Sequence, residues 1–261
     1  MAIVNVNSAG LIDVSKPKNV SSSQSTSFTW AKTSNTPTLT YLDDNGVSWG
    51  CFIFNSSGTF RCTKEGMVKF LLVGGGGGGS VNNYSGAYFE RNQGQGGGGS
   101  VIESEAKFVV GVYDITVGAG GVEAFASTGA TGGTSSIKYL PTPSRRLSTD
   151  GLFIRATGGS GGSSSNPGPS IARGGTSGDG YAGGVTGGAI GSGATGGGAG
   201  GPGASDGADG PPVTSSITGT PTFYASGSGG AYVGSGNYGT HSGAPTRYGR
   251  NGIVVLCITS N

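Results

Sequence analysis

Runs of glycine interrupt this chain at short intervals, and they limit its possible folds more than any other feature. The longest unbroken run is Gly74 to Gly79, and a glycine-rich stretch extends from Gly174 to Pro212. Glycine offers no side chain to bury and loses the most backbone entropy on ordering, so 58 glycines in 261 residues argue against a helix-rich globular enzyme. Such runs are either flexible linkers or are ordered by packing of the backbone itself.

The ordered alternative is the polyproline-II-like helix, which has three residues per turn and leaves its backbone donors and acceptors free for neighbouring helices. Collagen also uses this geometry, but it requires glycine at every third position. Ala204 breaks that rhythm between Gly201 and Gly207. We therefore predict left-handed glycine helices that pack side by side, and not a collagen triple helix.

Short β-prone segments lie between the runs and are bounded by turn residues. In Thr59 to Thr63, Phe60 and Cys62 fall on one face and Arg61 on the other, as a half-buried strand requires. No window shows a useful helical period. The sequence predicts an all-β fold, a β-sandwich or jelly-roll-like scaffold with glycine-rich polyproline-II-like insertions. The predicted strands are Ser27 to Trp30, Thr38 to Leu42, Trp49 to Phe54, Gly58 to Cys62, Gly66 to Val73, two within Val101 to Val117, Ser135 to Leu140, Leu152 to Ala156 and Gly252 to Thr259.

Charge and hydropathy exclude some classes of partner. The net charge is +2 and no basic run occurs, so nucleic acid is not expected. No stretch approaches the about 20 apolar residues of a membrane helix, so no membrane insertion is expected. Residues Met1 to Asn7 lack the pattern of a signal peptide, and synthesis in a cytoplasm is therefore expected.

The three cysteines, Cys51, Cys62 and Cys257, cannot all pair within one chain and show no metal-ligand spacing. They are interpreted as small buried side chains in strands. No metal and no cofactor are expected.

Two parts of the chain are distinguished. Residues 1 to 50 are interpreted as an N-terminal attachment arm with the first strands, and residues 51 to 261 as a glycine-rich β domain with distal loops. Up to about residue 26 the chain alternates apolar and polar residues briefly and then becomes serine-rich. An arm that binds a partner and an edge strand followed by a linker explain this segment equally well.

Five motifs follow one another in an order that is more specific than any one of them. They are Phe54 to Phe60, Gly66 to Gly79, Tyr113 to Gly121, Gly132 to Ser136 and Gly252 to Ile258. Together they resemble the glycine-rich domain of bacteriophage tail proteins over residues 54 to 261. The resemblance implies a β-scaffold that frames glycine-rich insertions in tail fibres and other virion appendages, with structural or adhesive work and no catalytic residues. The composition alone is also similar to tail-fibre tip adhesins with stacked glycine helices.

Two glycine motifs match enzyme signatures without the context those signatures need. Gly74 to Gly79 satisfies G-x-G-x-x-G after a strand, but Ser80 to Phe89 shows no helical period. Gly158 to Gly162 satisfies G-x-S-x-G with His241 downstream, but no helix pattern follows Ser160. Three carboxylate pairs have ordinary explanations in turns, a solvent-facing strand side and a glycine run. They are Asp43 with Asp44, Glu103 with Glu105, and Asp206 with Asp209. We expect no enzyme.

Aromatic residues are frequent in the glycine- and serine-rich segments. Tyrosine gives a rigid amphipathic contact surface, and glycine lets the loops around it vary in shape. The alternative is that these rings supply bulk that the glycine layers lack. The candidate receptor-contact residues are Tyr181, Tyr224, Tyr232, Tyr238, His241, Arg247 and Tyr248; Tyr84, Tyr88, Phe89 and Phe223 share the same setting.

The resemblance and the loops together lead to a functional expectation. The chain is expected to be a structural virion protein, a tail-fibre or tail-tip component that binds a host-surface glycan or protein. Its N-terminal segment would join other tail or fibre proteins, and a homo-oligomer, with a trimer as the common fibre solution, is expected. The first alternative is a non-adhesive structural or decoration protein of the capsid or tail. The second alternative is an ice-binding protein, which the irregular glycine spacing opposes.

Overall fold

The computed structural model describes residues 30–81, 94–125, 127–141, 152–164, 172–186, 194–204, 208–227, 232–236 and 248–259. These residues contain β-strands and no helix, so the all-β prediction is confirmed. The strands are β1 (Lys32–Thr33), β2 (Leu39–Leu42), β3 (Ser48–Phe54), β4 (Gly58–Lys64), β5 (Gly66–Val73), β6 (Ser80–Val81), β7 (Val101–Phe108), β8 (Gly111–Thr116), β9 (Ala124–Phe125), β10 (Ser135–Leu140), β11 (Phe153–Ala156), β12 (Ala172–Arg173), β13 (Val185–Thr186), β14 (Val213–Ser215), β15 (Thr222–Tyr224) and β16 (Ile253–Thr259).

Two five-stranded antiparallel sheets form a sandwich. The first has the strand order β2-β3-β16-β5-β7, and the second has the order β1-β4-β8-β10-β11. Their facing sides share one core, to which each strand contributes alternate residues. In β4, Phe60 and Cys62 point inward while Arg61 is exposed, as the sequence predicts. The largest fully buried side chains between the sheets include Phe60, Phe70, Phe108, Tyr113, Ile115, Ile137 and Leu256.

The outer side of the first sheet is covered as well. Leu71, Val73 and Val255 on that side pack with Ile217 and Tyr224, which belong to the hairpin of β14 and β15 and its turn. Strand β16 is consequently buried along its whole length. This burial on both faces accounts for its continuous apolar sequence, Ile-Val-Val-Leu-Cys-Ile.

Beyond the sandwich the glycine runs pack into a bundle, and their hydrogen bonds repeat every three residues. Gly74 and Gly77 donate to Ser100 and Gly97 at 2.9 and 2.8 Å. Gly75 and Gly78 donate to Gly133 and Ala130, both at 2.9 Å. Gly76 donates to a third neighbour, the carbonyl of Arg250. A partner that recurs at i and i+3 is the signature of a three-residue turn, so the prediction of packed polyproline-II-like helices agrees with the structure.

The run at Gly74 to Gly78 is enclosed on its other sides by three more segments. A Cβ built at Gly74 or Gly77 would lie 2.0 Å from the carbonyl oxygens of Thr157 and Ser160. At Gly75 and Gly78 it would meet the carbonyls of Ala119 and Val122, and at Gly76 that of Ser235. None of these five glycines has a positive φ. Glycine is therefore required here because the backbones approach too closely for any side chain.

The N-terminal arm predicted at the start of the chain falls within residues 1–29 and lies outside the described residues, as do the first three residues of the Ser27 to Trp30 strand. Residues 30–50 belong to the same two sheets as the rest. Trp30 forms a bridge with Met67 of β5, Lys32 pairs with Lys64 of β4, and β3 continues across position 50.

Candidate functional site: two ends and an aromatic surface

The glycine segments run alternately away from the sandwich and back to it. Strands β5, β8 and β11 lead into outgoing segments, and returning segments lead into β7 and β10. At the far end, Ser80 bridges Gly94 and pairs with Ala124, Gly94 bridges Ala194, and a Cβ at Gly94 would touch Ser163. These five residues define what we call the distal end. The described residues that flank 82–93, 165–171 and 187–193 lie at or beside it.

The opposite end of the molecule, the base, is defined by Trp30, Trp49, Met67 and Thr259. Trp30 bridges Met67 near the start of β5, and Thr259 pairs with Trp49 near the start of β3. The glycine bundle begins at the other ends of these strands, where Ile253 pairs with Val73. The first and last described residues therefore lie on the side of the sandwich that faces away from the bundle.

Serine and threonine hydroxyls cross-link the glycine segments. At the distal end the buried Ser80 hydroxyl contacts the carbonyl of Ser127 and lies 2.6 Å from the Ser164 hydroxyl. Nearer the middle of the bundle, the Thr176 amide donates to Ser160 Oγ at 2.7 Å. Ser160 was the serine of the apparent G-x-S-x-G motif, and its hydroxyl joins two glycine segments.

Four of the predicted receptor-contact residues are described. Tyr181, Tyr232 and Tyr248 are 42%, 39% and 57% exposed, as a contact role requires. Their contacts place them on three separate segments. The Tyr181 amide donates to the Ser177 hydroxyl, Tyr248 forms a β-bridge with Val122, and the Tyr232 ring packs on Phe223. Tyr238, His241 and Arg247 lie outside the described residues, together with Tyr84, Tyr88 and Phe89.

The prediction that Tyr224 contacts a receptor is wrong. It lies in strand β15 and is only 4% exposed, so its ring belongs to the core over the first sheet and does not face solvent. Burial raises the pKa of its phenol, and the nearby Glu103 carboxylate raises it further. Because strand residues alternate between faces, burial of Tyr224 turns its neighbour Phe223 outward, where it is 48% exposed.

Phe223 and Tyr232 form an exposed aromatic pair. Their ring centroids are 5.5 Å apart and the ring planes are tilted by 49°. Phe223 comes from the β14–β15 hairpin, whereas Tyr232 precedes the segment 233–236 of the bundle. The two segments are joined beneath the rings, since Tyr224 forms a bridge with Val233.

A second aromatic group, which sequence reasoning missed, lies at the base. The rings of Trp30 and Trp49 meet edge to face at 4.7 Å, and the Lys69 ammonium lies 4.1 Å from the Trp49 ring centroid. The Trp49 indole donates to Asp43 Oδ2 at 3.0 Å. A lysine in the otherwise apolar β5 was the available signal, because a cation there needs an aromatic or acidic partner.

The Asp43 carboxylate has a structural role in the β2–β3 turn. Its Oδ1 accepts the amides of Asn45 and Val47, both at 2.9 Å, and so shapes the β2–β3 turn. The hydrogen bond from the Trp49 indole is the largest cause that lowers the pKa of Asp43 below its ordinary value. The hydrogen bonds from these two amides lower it further. Within the described ranges, no group of three or more histidine, cysteine or acidic side chains is placed to hold a metal ion. The absence of enzymatic activity and of a cofactor stays a prediction.

The cysteine interpretation needs one change. All three cysteines are buried in strands as predicted, but Cys51 and Cys257 are joined by a disulfide. They stand directly opposite each other in the pairing of β3 with β16. Cys62 is free, and burial raises the pKa of its thiol.

The fold and the bundle define a glycine-rich all-β protein, and comparison with known families gives the same class. Residues 55–254 match the family described as "Glycine-rich domain". The match covers most of the chain, and the protein belongs to this family. No curated protein matches the chain. The described part of the chain contains no helix that is long and apolar enough to cross a membrane.

Proposed function

We propose that the chain is a structural virion protein, a component of a bacteriophage tail fibre or tail tip, that binds the host-cell surface. The carrying observation is the separation of its two ends. Attachment at the base, where Trp30 and Thr259 lie, would leave the distal end and the exposed rings of Tyr181, Tyr232 and Tyr248 accessible. Family membership supports a glycine-rich domain, and the link to phage tails rests on the order of motifs in the sequence.

The construction of the bundle suits such a role. Each run is held by backbone hydrogen bonds to several neighbours, as at Gly74 to Gly78, so the bundle needs no apolar side chains of its own. A rigid scaffold made in this way can carry contact residues at its surface and end with little change to its interior. The proposal includes a homo-oligomer, with a trimer as one form, and attachment to other tail proteins through the N-terminal segment, residues 1 to about 50.

The test uses phage particles that carry this protein and an antibody raised against the purified chain. We expect immunogold label at fibre or tail ends in electron micrographs, and a loss of host adsorption after antibody treatment. Label over the capsid or along the tail with normal adsorption would contradict host binding. That outcome would identify a decoration protein, the alternative structural role.

A further inference from the structure

We propose that Phe223, Tyr232 and the neighbouring Thr214 form a contact site for an uncharged sugar ring of a surface saccharide. The inference rests on the proposed function and deepens it, since it assigns a ligand class to one part of the exposed surface. It concerns the outward side of the β14–β15 hairpin. The site is distinct from the distal end, because β14 and β15 pack over the first sheet of the sandwich.

The geometry offers apolar faces beside hydroxyl groups. Phe223 pairs with Thr214 in the register of the hairpin, and both side chains are exposed. The Tyr232 ring, tilted by 49° to that of Phe223, adds a second face and a phenol. A pyranose has a face of C–H bonds and a rim of hydroxyls, so it can stack on a ring and bond to Thr214 or Tyr232 at the same time.

The backbone beneath the rings is fixed in advance. Ala225 follows Tyr224 with a φ of 56°, the one positive φ of a non-glycine residue in the described segments. Its amide donates to Val233 at 2.9 Å and its carbonyl accepts from Ala199 at 2.8 Å. A residue held in this disfavoured region is strained and persists where surrounding contacts enforce it. Phe223 and Tyr232 are thereby presented on a preorganised surface, which lowers the entropic cost of binding.

Charge and size favour a neutral saccharide. Residues 210–227 and 232–236 contain no aspartate, glutamate, lysine or arginine. The Glu103 carboxylate lies near Tyr224, whose pKa it raises, and Tyr224 is on the opposite side of β15 from Phe223. These segments offer no cation to an acidic glycan or nucleic acid. The exposed Arg250 lies on the adjoining segment, where its amide donates to the Ser235 carbonyl at 2.9 Å. A stable protein partner normally buries about 800 Å² on each side, more than two half-exposed rings provide.

The experiment measures binding of the full chain to an array of immobilised oligosaccharides. One set contains neutral hexose, hexosamine and deoxyhexose chains, and the other contains sialylated and sulfated chains. We expect binding within the neutral set, and a loss of at least about tenfold in affinity for Phe223→Ala and for Tyr232→Ala. Phe223→Tyr, which keeps the ring, retains binding.

Phe153→Ala is the matched control, because it removes a similarly exposed ring, 44% exposed, from β11 in the second sheet. It leaves neutral-glycan binding unchanged, and melting temperatures confirm that every variant is folded. Binding confined to charged glycans, no glycan binding, or full binding by both Phe223→Ala and Tyr232→Ala overturns the inference. If antibody still blocks adsorption in that case, the inference alone fails; if adsorption is also unaffected, the proposed function fails with it.

Discussion

Cys51 and Cys257 face each other across β3 and β16 with their Cα atoms 4.2 Å apart, and their disulfide spans a sequence separation of 206. The covalent loop encloses the second sheet apart from β1, and the whole glycine bundle. Both sulfurs also lie beside the Ile217 carbonyl, at 3.7 and 3.5 Å. The disulfide therefore sits where the first sheet meets the hairpin that carries Phe223.

Removing this disulfide lowers stability by restoring freedom to the unfolded chain. For a loop of this length the chain-entropy relation gives an upper value of about 5 kcal/mol. We expect Cys51→Ala/Cys257→Ala to fold with a lower free energy of unfolding, measured by denaturant titration. A reducing agent should lower the denaturation midpoint of the wild type and leave that of the double variant unchanged. Equal effects of the reductant on both proteins would show that this disulfide does not stabilise the fold.

Replacing a glycine inside the bundle is expected to be severe. In Gly76→Ala the new Cβ would lie 1.9 Å from the carbonyl oxygen of Ser235, and backbone cannot move aside as a side chain can. We expect a loss of more than about 3 kcal/mol, or failure to fold. Gly58→Ala is the matched control, since its Cβ would meet only Phe54 at 3.7 Å, an ordinary contact.

The control is expected to change stability by no more than about 1 kcal/mol. Thermal unfolding followed by circular dichroism measures both variants. A Gly76→Ala protein as stable as Gly58→Ala would show that the bundle is looser than its hydrogen bonds indicate.

The sequence predicts the nine longer strands well, but it misses the strands of two or three residues, and it predicts the strand partners poorly. The missed strands are β1, β6, β9 and β12 to β15. Alternation at Phe60, Arg61 and Cys62 identifies both a strand and its buried face, because side chains on a strand alternate by geometry alone. The glycine runs predict their own three-residue turn, but identical residues carry no record of which run lies beside which. The six segments around Gly74 to Gly78 could therefore be found only from the structure.

The exposed aromatic residues of the candidate site could be predicted only in part. The exposure of Tyr181, Tyr232 and Tyr248 agrees with what their glycine-rich setting predicts, and their contact role stays a prediction. Tyr224 failed because β15 has only three residues, too few for its alternation to be read. The pairing of Cys51 with Cys257 escaped because two apolar strands far apart in sequence carry no signal that they are neighbours.

Tyr113 closes a local backbone loop inside the core. Its hydroxyl accepts the Val109 amide at 2.7 Å and donates to the Val109 carbonyl at 3.0 Å. Tyr113→Phe leaves both groups without this partner, so a loss of about 1–3 kcal/mol is expected by denaturant titration. Tyr139→Phe, whose hydroxyl lies 3.4 Å from Val110, is the control and should cost less. A larger loss in the control would contradict the assignment.

Burial raises the pKa of Tyr113 well above that of an ordinary tyrosine. In an ultraviolet titration of the folded wild type, this phenol should remain un-ionised at a pH at which an ordinary tyrosine is ionised. The Tyr113→Phe protein should lack this late-titrating group.

Asp43 makes stability depend on pH in the acid range. Its bonds to the Trp49 indole and to the Val47 and Asn45 amides hold its pKa below the ordinary value. A lowered pKa in the folded state means that the ionised carboxylate stabilises the fold above the ordinary value of about 3.9. This contribution is lost as the pH falls through the lower, folded-state pKa.

We therefore expect Asp43→Asn to melt at a lower temperature than wild type at neutral pH, with the difference shrinking as the solution is acidified. Melting curves between about pH 7 and pH 2 test this, with Asp44→Asn at the neighbouring exposed position as the control. A gap that stays constant with pH would assign the effect to geometry and not to charge.

The packing of backbone against backbone in the glycine bundle has a consequence for the temperature dependence of stability. Exposing apolar surface raises the heat capacity on unfolding, and exposing peptide groups lowers it. The bundle buries mainly peptide groups, so the protein should show a smaller heat-capacity change than the about 12–15 cal/mol/K per residue of ordinary domains. Its stability curve would then be flat, and the bundle would keep its structure in the cold, where apolar cores weaken.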